Sequence, residues 1–319
     1  MGHVSTIITC YNQEETIGPA IESVVEQTCY DAISEIIVVN DGSTDDSEAV
    51  IRKWTGRCEK IRYVSQENQG VSAARNAGIR RSSGDFLALL DGDDAWLKER
   101  LEPQLRFVEE HPDVGLLYAD VYAFGGGVEG RRRGYCNQYK YSNENVLRRL
   151  FVENGTILPS TTLINRKCFQ DVGLFDPSLR QGEDPDLWLR IAGEYPIQHI
   201  SQPLALKRQR DGSLTANFEK NARCLLRVTD KIADLYPELD PLRKKRKARI
   251  HSGLARNRAV SGERTGAVKS AFQAINHDPY TLEHYATLGF AILPVSSSQL
   301  QGLREQVQGA KRKMRQWTR

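Results

Sequence analysis

Phe86-Leu87-Ala88-Leu89-Leu90-Asp91-Gly92-Asp93-Asp94-Ala95-Trp96 is the stretch on which the reading of the fold turns. Five consecutive apolar residues predict a strand buried on both faces, as in a parallel sheet. In open α/β sheets the ligand crevice lies outside the carboxyl ends of the strands, so the acids that follow are expected to face a ligand. Three carboxylates within four residues repel one another unless a cation sits among them, and hard oxygen donors suit Mg²⁺ or Mn²⁺. Asp91-Gly92 also fits a turn, and Asp94 the N-cap of a following helix. The cap reading is kept for Asp94, whereas Asp91 and Asp93 are read as ligand-facing.

Upstream, strand and helix alternate. Val4–Thr9 is a β-branched strand, and Thr16 can cap a helix running to about Gln27. Glu35–Asn40 is a second buried strand ending in Asp41-Gly42-Ser43-Thr44-Asp45-Asp46. A helix to Trp54, a short strand at Ile61–Val64 and a helix at Val71–Arg81 lead into the strand at Phe86. Such alternation implies βαβ crossovers and a mainly parallel sheet with helices on both faces, a Rossmann-like α/β class. The dinucleotide fingerprint is missing, because Thr9-Cys10-Tyr11-Asn12-Gln13-Glu14 stands where G-x-G-x-x-G would be. No P-loop or G-x-S-x-G elbow occurs. The charge of any bound diphosphate must then be met otherwise, and a metal at Asp93 meets it.

The chain of 319 residues, 39% hydrophobic and 27% charged, has the composition of a globular protein. Its net charge of +3 hides an asymmetry. Residues 1–215 carry 24 Lys and Arg against 32 Asp and Glu, and residues 216–319 carry 20 against 9. An acidic body with a basic tail predicts two parts, the tail drawn to something anionic. The six cysteines show no C-x-x-C or zinc spacing and read as reduced thiols. Neither a signal peptide nor an apolar run of membrane-spanning length is visible. The expected location is cytoplasmic, with peripheral contact at the inner face of the membrane as an extension.

The ordered motifs Thr9-x-Tyr11-Asn12-x-Glu14, Glu35-Ile36-Ile37-Val38-Val39-Asn40-Asp41-Gly42-Ser43-Thr44-Asp45, Asn68-x-Gly70-x-x-x-Ala74-Arg75-Asn76-x-Gly78 and Leu90-Asp91-Gly92-Asp93-Asp94 resemble the family 2 glycosyltransferases of GT-A fold. Pro159-Ser160-Thr161-Thr162, Val172-Gly173-Leu174-Phe175-Asp176 and Gly182-Glu183-Asp184-Pro185-Asp186-Leu187-Trp188-Leu189-Arg190 resemble that family's acceptor-side motifs. The resemblance covers roughly residues 4–215, expected as the catalytic domain 1–215. It implies an inverting, metal-dependent transferase using a nucleoside-diphosphate sugar, a UDP-sugar first among them. The acceptor would be a hydroxyl of a saccharide or lipid-linked molecule in cell-surface polysaccharide or glycolipid synthesis.

Asp41, an acceptor-only carboxylate, suits a base with a ring N–H, such as uracil, thymine or guanine, and not adenine; a turn acid is the alternative. The resemblance implies that Thr9 and Tyr11 wall the base pocket and that Arg75 contacts base or diphosphate. Asp91 would hold the ribose or a metal-bound water, and Asp93 the Mg²⁺ or Mn²⁺ that bridges the diphosphate. The second centre is a carboxylate that takes the acceptor's proton. By motif match that is Asp184, with Glu183 as support and Asp186 as a first-turn acid; acids ahead of a helix also serve as caps.

Val114–Phe124 is read as a further strand and residues 125–143 as a Gly-, Arg- and Tyr-rich loop. Lys207-Arg208 and Arg210 stand where many members carry a Tyr-Arg pair and a histidine, so a histidine metal ligand is excluded there. Residues 216–319 read as a basic helical appendage. Residues 248–279 loosely resemble one tetratricopeptide-like hairpin, and Arg243–Lys247 and Lys311–Arg315 are basic runs. These runs suit either an anionic membrane surface or a solvated face; no nucleic-acid-binding signature is present. The rival reading is a non-catalytic nucleotide-sugar-binding or scaffolding protein acting through this tail.

Overall fold

A computed structural model describes residues 3–125, 128–133, 145–153, 157–209 and 218–292. β1 (Val4–Cys10), β2 (Ile33–Asn40), β3 (Ile61–Ser65) and β4 (Phe86–Asp91) are the parallel strands expected from their apolar runs, with β1 central. Ile7 lies between Ile37 and Leu89, and all seven residues of β1 are buried. Helices α1 (Ile17–Val25), α2 (Ser47–Thr55) and α3 (Val71–Arg81) make the connections. Thr16 stands at the N-cap of α1 but makes no side-chain capping bond, so the cap expected there does not form. α3 lies close on the sheet because Gly78 has no side chain; a Cβ there would stand 2.5 Å from Ile7 Cγ2.

Beyond β4 the sheet turns mixed. It carries β5 (Ala95–Trp96), β6 (Leu116–Gly125), β7 (Val128–Arg133), β8 (Leu163–Asn165) and β9 (Ile197–Arg208). The order is β3-β2-β1-β4-β8-β6-β9-β5, with β7 beside β6. β8 runs antiparallel to β4 and β6, whereas β9 runs parallel to β6. The loop expected over residues 125–143 is therefore partly a strand, since β7 folds back on β6; residues 134–144 lie outside the described residues. The helices here are α4 (Leu101–Glu110), α5 (Val146–Glu153), α6 (Arg166–Asp171) and α7 (Glu183–Glu194). α7 buries Leu187, Trp188 and Ile191, the face its periodicity predicts.

Contacts divide the chain at Asp240/Pro241. α8 (Phe218–Leu235) thus belongs to the sheet-containing unit, beyond the boundary expected at residue 215. It packs on α7, and the Tyr236 hydroxyl donates to the Arg190 carbonyl at 3.1 Å. The second unit contains the rest of α9 (Asp240–Val260) with α10 (Arg264–His277) and α11 (Leu282–Ile292). Its interior is small: Ala255, Ala267, Ala271 and Ala274 are fully buried. The basic run on α9 is no uniform solvated face, because Arg246 is fully buried while Lys244 and Lys245 are exposed.

Candidate functional site

The carboxyl ends of β1, β2 and β4 share one rim, since Thr9 pairs with Asp91 and with Val39. Thr9 is buried and its carbonyl accepts from Gly92 N–H at 2.9 Å. This tight turn explains the glycine between the acids: a Cβ on Gly92 would lie 2.3 Å from Gln13 Oε1 and 2.8 Å from the Thr9 carbonyl. Tyr11 is half exposed beside the same rim. Asp41 is buried just past β2. Its Oδ1 accepts from Gln66 Nε2 at 2.7 Å and Gln69 N–H at 3.0 Å, and its Oδ2 from Gly70 N–H at 2.8 Å. The carboxylate thereby fixes the loop that starts α3.

Arg75, on α3 and nearly inaccessible, forms the centre of the site. Its Nη1 donates to Asp184 Oδ1 at 2.6 Å and its Nη2 to Asp91 Oδ1 at 2.8 Å, with Glu183 Oε1 at 3.7 Å. One planar guanidinium thus joins the strand-end acid to the first turn of α7. Burial opposes the charge on Arg75, but Asp184, Asp91 and Glu183 more than offset this and hold it protonated. The structure sets Arg75 against three carboxylates. Neighbouring side chains lock the geometry. Asn76 exchanges hydrogen bonds with the Phe175 backbone at 2.8 and 3.0 Å, and Ser72 Oγ donates to the Leu179 carbonyl at 3.2 Å.

The carboxyls joined by Arg75 differ in proton affinity. Burial pushes Asp184 up to about 7, against the pull of Arg75 and helped by the charges of Glu183 and Asp91. Burial also raises Asp91, but Arg75 and Lys207 outweigh it and hold that carboxyl below its usual range. Carboxylates with environments that separate their proton affinities are a mark of acid–base sites.

Asp94 does not cap a helix. It is fully buried, accepting from Ser160 Oγ at 2.6 Å, Arg208 N–H at 3.0 Å and Lys207 Nζ at 3.3 Å. Burial pushes its carboxyl up to about 7, Lys207 pulling it down and Asp91 and Asp93 pushing it further up. Arg208 Nε donates to the Asp93 carbonyl at 3.2 Å, with its guanidinium over the Phe124 ring at 4.6 Å. Asp91, Asp93 and Asp94 each bring a carboxylate oxygen within 4.8 Å of the others. An all-oxygen set of this kind fits Mg²⁺ or Mn²⁺. Asp93 and Asp91, the latter through Oδ2, could hold such an ion.

A second ionic cluster lies behind α7. Asp186, fully buried, accepts from Arg190 Nε at 3.0 Å and Nη2 at 2.8 Å. Lys231 of α8 stands 2.8 Å from both Asp186 Oδ1 and Asp176 Oδ2. Sequence reasoning had Asp186 as a first-turn acid only; no local signal pointed to Lys231.

The model of the family described as "Glycosyl transferase family 2" matches residues 5–173. An uncharacterised glycosyltransferase of Rickettsia bellii is 34% identical over 227 residues, 71% of this chain and 32% of that protein. The match spans about a third of the length of this and two further rickettsial relatives. Among solved structures, S. aureus TarS 1–349 in complex with UDP-GlcNAc aligns with a TM-score of 0.65 at 19% identity, over 86% of this chain and 81% of that one. The mannosyltransferase PcManGT of Pyrobaculum calidifontis, in complex with GDP-Man and Mn²⁺, aligns with a TM-score of 0.61 at 18% identity, over 99% and 83%. These likenesses establish the GT-A fold.

Proposed function

The chain belongs to glycosyltransferase family 2, and from that premise we propose that it transfers a sugar, with inversion, from a nucleoside-diphosphate sugar to an acceptor hydroxyl. The observation that carries this is the Arg75 fork, which ties Asp91 on the donor side to Asp184 on the acceptor side. Asp184 serves as general base, with a proton affinity matched to neutral pH. The acceptor's O–H bond breaks, its proton goes to Asp184, and the oxygen bonds to the anomeric carbon. The bond to the diphosphate breaks on the opposite face, so the configuration inverts and no sugar is left on the protein. Arg75 positions Asp184 and keeps its ionised form accessible.

Asp41 Oδ2 takes one donor and can accept the ring N–H of uracil, with Thr9 and Tyr11 beside it. A UDP-sugar is our first choice, and the same carboxylate would accept the ring N–H of guanine in a GDP-sugar; neighbours of the same fold hold UDP-GlcNAc and GDP-Man. Asp93 and Asp91 would hold Mg²⁺ or Mn²⁺, which when bound neutralises the departing diphosphate. The acceptor is a saccharide or lipid-linked hydroxyl. Among the described residues no helix is long and apolar enough to cross a membrane. The basic second unit is the part proposed to contact lipid.

The test is Asp184→Asn. Asn preserves shape and caps a helix about as well as Asp, but it cannot take the proton. Turnover should fall roughly 10²–10⁴-fold, while UDP affinity on the same preparation stays near wild type. Sugar transfer that survives within about threefold would make Asp184 a cap, and UDP binding without any transfer by the wild type would favour a binding protein.

A further inference from the structure

Lys207 is the last side chain but one of β9, and it reaches the acidic loop from across the sheet. Its ammonium stands 3.3 Å from Asp94 Oδ2 and 3.8 Å from Asp91 Oδ2. The strand around it is fixed, because Arg208 N–H is bonded to Asp94 Oδ1 at 3.0 Å and Arg208 Nε to the Asp93 carbonyl. Asp91 therefore faces two cations, Arg75 at Oδ1 and Lys207 at Oδ2. Oδ1 is committed to the fork that joins Asp91 to Asp184. Oδ2 is the oxygen left for a metal, and it is the one Lys207 faces.

We propose that Lys207 is a tethered counter-cation of the acidic loop, occupying the ground a divalent ion needs at Asp91 Oδ2, so that residue 207 sets how tightly this protein binds metal before nucleotide arrives. The inference rests on the metal reading proposed above. A charged ammonium has donors but no lone pair, so it opposes a metal where a histidine would ligate one. A lysine ammonium is charged at neutral pH. The side chain is a quarter exposed, so its flexible four-carbon stem can withdraw toward solvent. A bound nucleoside diphosphate gives that displaced ammonium a new anionic partner. Metal binding should therefore be weak alone and strengthened by nucleotide, and the lysine contributes to that dependence.

The experiment is a Mn²⁺ titration of the full chain followed by electron paramagnetic resonance of the free ion, with and without UDP. The variants are Lys207→Met, which removes the charge, Lys207→Gln, which keeps a donor for Asp94, and Lys207→Arg, which keeps the charge. Without UDP, the Met and Gln variants should bind Mn²⁺ about tenfold or more tightly than wild type, and the Arg variant within about threefold of it, as expected for like charges a few ångströms apart. In both neutral variants the strengthening by UDP should shrink. Wild-type or weaker metal affinity in the Met and Gln variants overturns the role of Lys207. If no form binds Mn²⁺ even with UDP, the metal reading falls as well; equal binding by all forms removes only the lysine proposal.

Discussion

Burial holds two rim carboxyls, Asp94 and Asp184, at a proton affinity of about 7, roughly three units above an ordinary aspartate. For Asp94 this has a consequence for stability. Between about pH 4 and 7 the folded chain keeps a proton that the unfolded chain has released. Its contribution is therefore fully present at low pH and is lost as pH climbs through 7. Asp94→Asn does not titrate and still offers an oxygen to Ser160 or Arg208. Its melting temperature, taken relative to wild type at each pH, should rise from pH 5 to 8; a constant difference would mean that Asp94 is ionised throughout. For Asp184 the same affinity means that turnover should climb toward pH 7 and then level off. Asp91 and Asp93 stood out in the sequence because they follow a buried strand whose carboxyl end faces the crevice, and Asp184 through its motif alone; that Arg75 joins Asp91 to Asp184 was not legible. Asp94 was misread because the cap reading used only its neighbours. Its partners Ser160, Lys207 and Arg208 lie far along the chain, and only the meeting of β4, β9 and the Pro159–Thr161 turn brings them together.

The strands and the core-facing sides of the helices were readable because periodicity is local: a buried strand is apolar throughout, and a helix repeats near every 3.6 residues. Which elements pack together is not local, and α8 shows this. Its sequence reads as the start of a basic tail, yet Lys231 bridges Asp176 and Asp186 behind the helix that carries Asp184. Gly182, at the N-terminus of that helix with φ +81°, lies against Cys224, Leu225 and Val228 of α8. Removing the lysine leaves Asp186 buried with Arg190 as its remaining ionic partner. Lys231→Met should lower stability by about 1–3 kcal/mol, the usual cost of an unmade charged hydrogen bond. It should also reduce turnover more than UDP affinity, because the acceptor-side helix is loosened and the nucleotide rim is not. Lys231→Arg, keeping charge and donors, should recover most of the loss. Chemical denaturation and kinetics on the three proteins decide this, and unchanged stability in the Met variant would remove α8 from the support of Asp184.

The boundary at Asp240 sharpens the charge contrast between the two parts of the chain. Residues 1–240 carry 28 Lys and Arg against 37 Asp and Glu, and residues 241–319 carry 16 against 4. An excess of this size on one unit gives it a field that attracts anionic surfaces and weakens with salt. The structure also says which charges can act. Arg246 is fully buried, so its guanidinium is unavailable to a lipid headgroup, whereas Lys244 and Lys245 are exposed on α9. The terminal run Lys311–Arg315 lies outside the described residues. A basic residue near an anionic bilayer contributes about 1 kcal/mol, so Lys244→Gln with Lys245→Gln should weaken co-sedimentation with phosphatidylserine-containing vesicles about tenfold or more. Raising the salt should abolish most of what remains. Arg246→Gln should behave differently, lowering the melting temperature without adding to the binding loss of the double variant, because its side chain is part of the interior. If the double variant sediments as the wild type does, the exposed lysines of α9 are only a solvated face.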